Sequence, residues 1–279
     1  MCLDSPGEMN SDPADFSKNI ERFTGFAALY DKYRPAPPAV LGDLLREFAG
    51  LTKLERVVDL GCGTGLSTRY WAGRAGEVIG VEPTVDMRHQ AAALTTARNV
   101  SYREGFSHRT GLPDRCADLV NCSQALHWME PPSTFDEVAR ILRPGGIFAA
   151  SDYDWPPTTG SWEADKAWTE CAARGRTLEK ELKVTEGLKQ WEKSGHLARM
   201  KASGRFRHVK EVVIHQVEQG DADRLVGLLL SQGYMMSLIK KGVTEAQLGI
   251  DELRAISRRT LGDEMRPWYW SARVRLGVV

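Results

Sequence analysis

The composition of the chain excludes several classes of protein before any motif is considered. The chain has 279 residues, and its 37 basic and 37 acidic side chains give a formal net charge of zero. This length can bury a full core, and it suits one α/β domain with a smaller elaboration. The lack of a net positive field argues against nucleic acid as the main partner. No apolar run approaches the ~20 residues of a membrane span, so we expect no membrane partner and a cytoplasmic location.

The five cysteines give no sign of a metal site or a disulfide framework. None of them forms a C-x-x-C pair, and their odd number leaves one over. Free thiols in a reducing compartment are the simplest interpretation, and no metal site is predicted.

Two helices are predicted ahead of the first strand. Residues 1–15 are polar, and we expect them to form a disordered lead. Residues 16–33 carry apolar side chains at helical spacing, and the proline-rich segment after Arg34 interrupts them. A second amphipathic helix is predicted at about residues 39–50. Because both helices precede the first strand, we expect them to cap the sheet rather than join it.

A glycine-rich turn after the first strand predicts a ligand site. The run Val57-Val58-Asp59-Leu60 has a buried-strand pattern, and glycines follow at positions 61, 63 and 65. Glycine permits positive φ and lets a ligand approach the backbone, so we expect a small molecule against this turn. The dinucleotide fingerprint G-x-G-x-x-G is the nearest alternative, but Leu66 stands where its third glycine belongs.

The second strand ends in an acid. Residues 78–81 have a buried-strand pattern and lead directly into Glu82. Glu82 follows the first glycine by about 20 residues, the offset at which a neighbouring parallel strand delivers a carboxylate to a ribose diol. A carboxylate can accept hydrogen bonds from both ribose hydroxyl groups. The alternative is a surface acid that caps the next helix, predicted at about residues 85–97.

The remaining motifs follow in an order typical of a parallel sheet. A third strand precedes Glu104-Gly105-Phe106-Ser107, and a fourth precedes Ser123-Gln124-Ala125-Leu126-His127-Trp128. Ligands lie outside the carboxyl ends of parallel strands, so we expect the second of these loops to face the reacting group. The turn Arg143-Pro144-Gly145-Gly146 then leads into a fifth strand. These strands are predicted at residues 100–103, 117–122 and 147–152, with a helix at residues 135–142.

Together these motifs resemble the class I S-adenosylmethionine-dependent methyltransferases over about 90 residues. Asp59-Leu60-Gly61-Cys62-Gly63-Thr64-Gly65 resembles the first motif of that family, and the turn at residues 143–146 is another of its features. The segment Gln124-Ala125-Leu126-His127-Trp128 is similar to a group that includes enzymes acting on small carboxylic acids such as aconitate. The resemblance implies an α/β fold: a seven-stranded, mostly parallel, Rossmann-like sheet with the last strand reversed. It also implies N-terminal cap helices and a helical lid inserted after the fifth strand.

The resemblance thins after the fifth strand, and the domain division follows from this. We assign residues 16–154 and 205–279 to the methyltransferase core and residues 155–204 to the lid. Later elements are predicted as a strand at 206–217, a helix from Asp221 to about residue 232, a turn at 231–234, a helix at 244–261 and an antiparallel strand at 268–278.

The resemblance implies S-adenosylmethionine as the cofactor, with its ribose on Glu82 and its adenine beside Met87. An ordinary core methionine fits position 87 nearly as well. The family has an acid directly after the glycine of the third loop, where this chain has Phe106. Phe106 can stack on the base, or Ser107 can supply the polar contact. Arg34 is a candidate partner for a carboxylate, or else a solvated side chain before the proline break. The predicted cofactor-binding residues are Arg34, Asp59, Gly61, Cys62, Gly63, Gly65, Glu82, Pro83, Met87, Phe106, Ser107, Ser123 and Gln124.

The methyl acceptor is predicted to lie at the loop after the fourth strand. His127 can act as a general base, because its pKa is near working pH, or as a neutral hydrogen-bonding residue that shapes the pocket. We predict substrate contacts from Tyr30, Trp128, Trp155 and Tyr234, with core packing as the alternative for the tryptophans.

These assignments predict in-line transfer of a methyl group to a small molecule, with O-methylation of a carboxylate or hydroxyl group favoured. Two alternatives come from other classes of protein. One is a nicotinamide-dependent reductase, and the other is a catalytically silent cofactor-binding module, suggested by the missing acid at Phe106. We expect a monomer or a homodimer.

Overall fold

The centre of the computed structural model, which describes residues 15–279, is a seven-stranded sheet. Its order from edge to edge is β3-β2-β1-β4-β5-β7-β6, where the strands are β1 Leu54–Leu60, β2 Ala75–Val81, β3 Val100–Arg103, β4 Ala117–Ser123, β5 Leu142–Tyr153, β6 His208–Gly220 and β7 Arg266–Val278. β7 is antiparallel to both of its neighbours, and the other pairs are parallel. The mostly parallel sheet with a reversed last strand is therefore confirmed. The predicted disordered lead falls, except for Asp15, outside the described residues.

Helices cover both faces of the sheet. Val57 and Val58 are both fully buried, because neighbouring side chains of a strand point to opposite faces. Val57 packs in a cluster with Trp71, and Val58 packs in another with Phe135 and Phe148. The continuous apolar run of β1 reflects this double burial, which is typical of parallel strands. The helices are α1 Ser17–Phe23, α2 Ala27–Tyr33, α3 Leu41–Phe48, α4 Leu66–Trp71, α5 Val85–Leu94, α6 Pro131–Ile141, α7 Trp162–Glu181, α8 His196–Ala202, α9 Ala222–Leu230, α10 Gly233–Lys240, α11 Glu245–Leu248 and α12 Ile250–Thr260, with short 3₁₀ turns at Leu126–Trp128 and Lys193–Gly195.

Two helices that the periodicity predicts as continuous are broken by glycine, and one turn is shorter than predicted. Gly25 separates α1 from α2 with a φ of 85°, and Gly249 separates α11 from α12 with a φ of 79°. A residue in this left-handed region cannot continue an α-helix. The turn predicted at residues 231–234 is confined to Ser231 and Gln232, because Gly233 begins α10.

A second helical insertion lies between β6 and β7, and it packs against the predicted lid. α9, α10 and α12 pack with α7 around one apolar cluster, to which Trp168, Leu225, Met235 and Leu253 contribute. The segment assigned to the core at residues 205–279 thus contains four helices, α9 to α12, beside the lid helix α7. Residues 15–279 contain no helix that is long and apolar enough to cross a membrane.

Candidate functional site

The glycine turn after β1 leaves open space on one side of its backbone. Gly61 and Gly63 have φ values of 63° and 53°. A Cβ atom on Gly61 would lie 2.7 Å from the Met129 side chain, whereas a Cβ atom on Gly63 would meet no atom within 4 Å. The backbone at Gly63 therefore borders a cavity, and a side chain there would project into free space.

Three residues predicted to bind the cofactor belong to the structural support of this turn and not to the wall of the cavity. Asp59 is fully buried and accepts hydrogen bonds from the Thr68 hydroxyl at 2.7 Å and the Asn121 amide at 2.6 Å. Burial raises the pKa of Asp59 to about 6. Cys62 packs against Gly80, and Gly65 begins α4 in the left-handed region. None of Asp59, Cys62 and Gly65 lines the cavity.

Glu82 lies at the carboxyl end of β2, on the wall of the cavity. One carboxylate oxygen accepts from the Gly63 N–H at 3.1 Å, and the other accepts from the Thr84 N–H at 2.9 Å. Burial raises the pKa of Glu82. A carboxylate has about four acceptor positions, so each oxygen keeps capacity for a further hydroxyl donor.

We call the space beside the glycine turn the turn cavity, and it is partly open to solvent. The predicted residues that line it are Tyr30, Gly61, Gly63, Glu82, Pro83, Met87, Phe106, Ser107, Ser123, Gln124 and Trp128. Helix α1 forms a further wall, which the sequence reasoning missed, through Phe16, Asn19, Ile20 and Phe23.

The end of the turn cavity at Phe106 is aromatic. Phe106 stacks on His108 with ring centroids 5.5 Å apart, and Phe16 lies 6.2 Å from Phe106. The Ser107 hydroxyl pairs with the Thr134 hydroxyl at 2.8 Å. Stacking is thus available at Phe106, while the Ser107 side chain already has a polar partner.

A second cavity, which we call the cationic cavity, adjoins the first and is also partly open to solvent. Four side chains line both cavities and form the boundary between them, namely Phe23, Tyr30, Gln124 and Trp128. Of the predicted residues, His127, Trp155 and Tyr234 line the cationic cavity. Arg34, predicted to bind the cofactor, also lies here rather than in the turn cavity, because its guanidinium donates to the Ser231 carbonyl at 3.0 Å.

Within residues 15–279, four positively charged side chains and no acidic one line the cationic cavity. Arg22 and Arg176 both pair with Glu179, at 2.5 and 3.2 Å, and Lys193 pairs with Asp152 at 2.7 Å. The fourth is Arg34. Of these four residues, only Arg34 is a predicted site residue, and it follows Tyr30 at the end of the first predicted helix.

Arg34 is half-buried, its Nε atom is fully buried, and its guanidinium has no carboxylate partner among the described residues. It lies over the Tyr30 ring at 4.6 Å and the Trp155 ring at 5.0 Å. Its other contacts are the neutral oxygens of Ser231 and Gln232, and no carboxylate of residues 15–279 lies within 4 Å. Burial lowers the pKa of Arg34, yet an arginine stays protonated. A partly buried charge of this kind favours an anionic ligand.

His127 is buried and neutral. Its Nδ1 atom has no hydrogen-bond partner among the described residues and lies 3.9 Å from the nearer Asp152 oxygen. Burial, followed by the charge of Lys193, lowers the pKa of His127 well below its usual value. A neutral imidazole can accept a proton or a hydrogen bond, but a lowered pKa makes it a weaker base.

Comparisons with known proteins agree with this geometry. Residues 58–150 match the family model described as a methyltransferase domain. An uncharacterized methyltransferase of Mycobacterium tuberculosis is 35% identical over 127 residues, which are 44% of this chain and 49% of that protein. A probable S-adenosylmethionine-dependent methyltransferase of Saccharomyces cerevisiae is 31% identical over 145 residues, 50% of this chain and 48% of that protein. The chain thus spans about half the length of the curated relatives it matches.

A solved structure described as a candidate type II methyltransferase from Anaeromyxobacter dehalogenans shares the fold. Its TM-score is 0.61 at 23% identity, over 88% of this chain and 98% of that one. Residues 58–150, which extend from β1 into β5, are thus similar to a methyltransferase domain, and the sheet has the fold of that solved structure.

Proposed function

We propose that this chain binds S-adenosylmethionine in the turn cavity and methylates an oxygen of a small acid held in the cationic cavity. The residues present fit the cofactor: the open backbone at Gly63 admits its amino-acid end, Glu82 accepts from its ribose hydroxyls, and Phe106 offers an aromatic face to its base. When bound, S-adenosylmethionine supplies a methyl group on a sulfonium, a good leaving group that demands little of the protein beyond positioning the acceptor.

The half-buried Arg34 guanidinium carries the proposal of an acidic acceptor. A charge that is partly removed from water costs free energy unless it is paired, and Arg34 has only neutral oxygens as partners. A carboxylate on the acceptor would supply the missing negative charge. The aromatic rings of Tyr30 and Trp155 would hold the guanidinium plane in place for it.

The environment of His127 favours an orienting role over general base catalysis. A carboxylic acid with an ordinary pKa near 4 is already ionised at neutral pH, so no base has to remove a proton from it. A neutral His127 imidazole can then donate or accept a hydrogen bond at the cavity wall. This fits its lowered pKa.

The experiment that tests the proposal is a screen with S-adenosylmethionine labelled in the methyl group. Small carboxylates, phenols and amines are compared for transfer of label and for release of S-adenosylhomocysteine. We expect methyl esters from the carboxylates. Transfer confined to amines would contradict the proposal, and binding of S-adenosylhomocysteine without any turnover would favour a silent module. Calorimetric binding of NADH in place of S-adenosylhomocysteine would favour a reductase.

A further inference from the structure

The boundary between the two cavities is where an acceptor must meet a bound methyl donor, so this inference rests on the proposed function. Tyr30 and Gln124 are two of the side chains that face both cavities. Gln124 has a φ of 56°, unusual for a residue with a side chain, and its Nε2 atom is buried without a partner among the described residues. Strain of this kind persists where the surrounding structure enforces it. The boundary is therefore a constrained part of the fold.

Each of these two boundary side chains is in contact with a cationic side chain. Arg34 lies over the ring of Tyr30 at 4.6 Å. Lys193, from the segment inserted after β5, donates to the Gln124 side-chain oxygen at 3.3 Å. Two positive groups therefore flank the same boundary from separate parts of the chain.

Both cations keep unused hydrogen-bond donors. A guanidinium has five N–H donors, and the structure gives Arg34 hydrogen bonds only through Nη2. An ammonium has three donors, of which Lys193 directs one to Asp152 and one to Gln124. Lys193 shares its counter-ion, because Asp152 also accepts a hydrogen bond from Arg275 at 2.8 Å.

We infer that Arg34 and Lys193 form a two-armed clamp for a single carboxylate, the one that receives the methyl group. A carboxylate between them lies at the boundary, with one oxygen available toward the turn cavity. The clamp selects acids over amides and amines of the same shape, because a neutral or cationic group there would leave Arg34 without a counter-charge and would not satisfy the free donor of Lys193. Aromatic rings on the cavity walls, among them Trp128 and Trp155, favour a flat acid.

Benzoate and its neutral isostere benzamide test the clamp by binding as well as by turnover. Calorimetry measures the affinity of each for the protein saturated with S-adenosylhomocysteine. The variants are Arg34→Met, Lys193→Met, the double variant and Lys193→Arg. Lys201→Met is the matched control, since Lys201 is an exposed lysine of the same inserted segment.

We expect each single variant to bind benzoate at least tenfold more weakly, with benzamide and S-adenosylhomocysteine affinities unchanged. The double variant should lose less than the product of the two single effects, because both arms hold the same group. Lys193→Arg should recover most of the affinity, which a loss of folding would not allow. Lys201→Met should bind benzoate as the wild type does.

Two results would overturn the clamp without touching the proposed function. One is that Lys193→Met binds benzoate as tightly as the wild type does. The other is that the fold-loss of benzoate affinity in the double variant equals the product of the two single losses, which would mean that the two arms hold different groups. If the wild type binds benzoate no better than benzamide, the acidic acceptor of the proposed function is wrong, and the clamp with it.

Discussion

At the scale of single residues, the Glu82 carboxylate both supports the glycine turn and faces the turn cavity. Its oxygens accept from the Gly63 and Thr84 N–H groups. We expect Glu82→Ala to weaken S-adenosylhomocysteine binding by about 2 kcal/mol, or about 30-fold, because ribose hydroxyls lose their acceptors. Glu82→Gln should lose less, since its amide oxygen still accepts. Calorimetry measures the affinities.

Glu104→Gln is the matched control for Glu82. Glu104 follows the next strand, β3, but its side chain is exposed and pairs with Arg88. Unchanged affinity in Glu82→Ala would remove Glu82 from the cofactor site.

Asp59 should make the stability of the fold depend on pH. Its pKa is about 6 in the folded protein, against an ordinary value of 3.8 for an aspartate. Between these values the folded protein keeps a proton that the unfolded chain has released, so the contribution of Asp59 to stability falls as pH rises from about 4 to about 6. The full effect is about 3 kcal/mol. We expect Asp59→Asn to remove this slope in urea unfolding measured from pH 4 to pH 7.

The Asp59→Asn variant should fold because its neighbours can adapt. The Asn121 side-chain oxygen has no partner among the described residues, so a rotated amide at Asn121 can accept from the new amide at position 59. Parallel stability curves for the wild type and the variant over this pH range would show that Asp59 titrates normally.

At the scale of elements, the turn between β1 and α4 is where backbone shape decides ligand binding. We expect Gly63→Ala to cost ~1 kcal/mol of stability from its positive φ, and to weaken S-adenosylhomocysteine binding about tenfold because the new methyl group enters the turn cavity. Gly145→Ala is the control: its φ is 83° and its Cβ also meets no atom within 4 Å. Equal binding by both variants would place the ligand elsewhere.

The elements that sequence reasoning predicts well are those whose burial repeats along the chain. β1, β2 and β4 contain the predicted apolar runs, because the central part of each strand is buried on both faces. The edge strand β3 also lies at residues 100–103 as predicted, although it is only partly buried. The breaks at Gly25 and Gly249 are not predictable in the same way. A glycine inside a helical pattern fits either a helix interior or a break, and tertiary packing decides between them.

At the scale of the whole molecule, a buried ion pair connects helix α1 with helix α7 of the segment inserted after β5. Glu179 on α7 accepts from Arg22 on α1 at 2.5 Å, and both side chains are 4% exposed. We expect Glu179→Gln to lower the free energy of unfolding by about 3 kcal/mol, because it leaves a buried guanidinium without its counter-charge. Chemical denaturation measures the change.

Glu181→Gln on the same helix is the control for Glu179, since Glu181 is exposed. Replacing Arg22 and Glu179 together by methionine should recover part of the lost stability, because no buried charge of the pair is then left alone. A Glu179→Gln variant as stable as the control would show that Arg22 reaches water.

Much of the turn cavity is predictable from sequence, whereas the cationic cavity is not. Gly61, Gly63 and Glu82 belong to motifs whose spacing follows from neighbouring parallel strands. Lys193 meets Gln124 across 69 residues of chain, and no local pattern marks it. The family resemblance of the segment from Tyr30 to the prolines after Arg34 predicts that Arg34 binds the cofactor, but the packing of α2 against the second insertion brings Arg34 to the other cavity.

The position of β7 between β5 and β6 has a consequence for synthesis on the ribosome. When the nascent polypeptide has emerged through residue 260, β6 has no strand to pair with, because its neighbour in the finished sheet is β7. The edge of β5 is equally open until then. β7 must therefore insert between two strands that are made before it, and the open edges of β5 and β6 can pair wrongly until β7 has emerged from the ribosome.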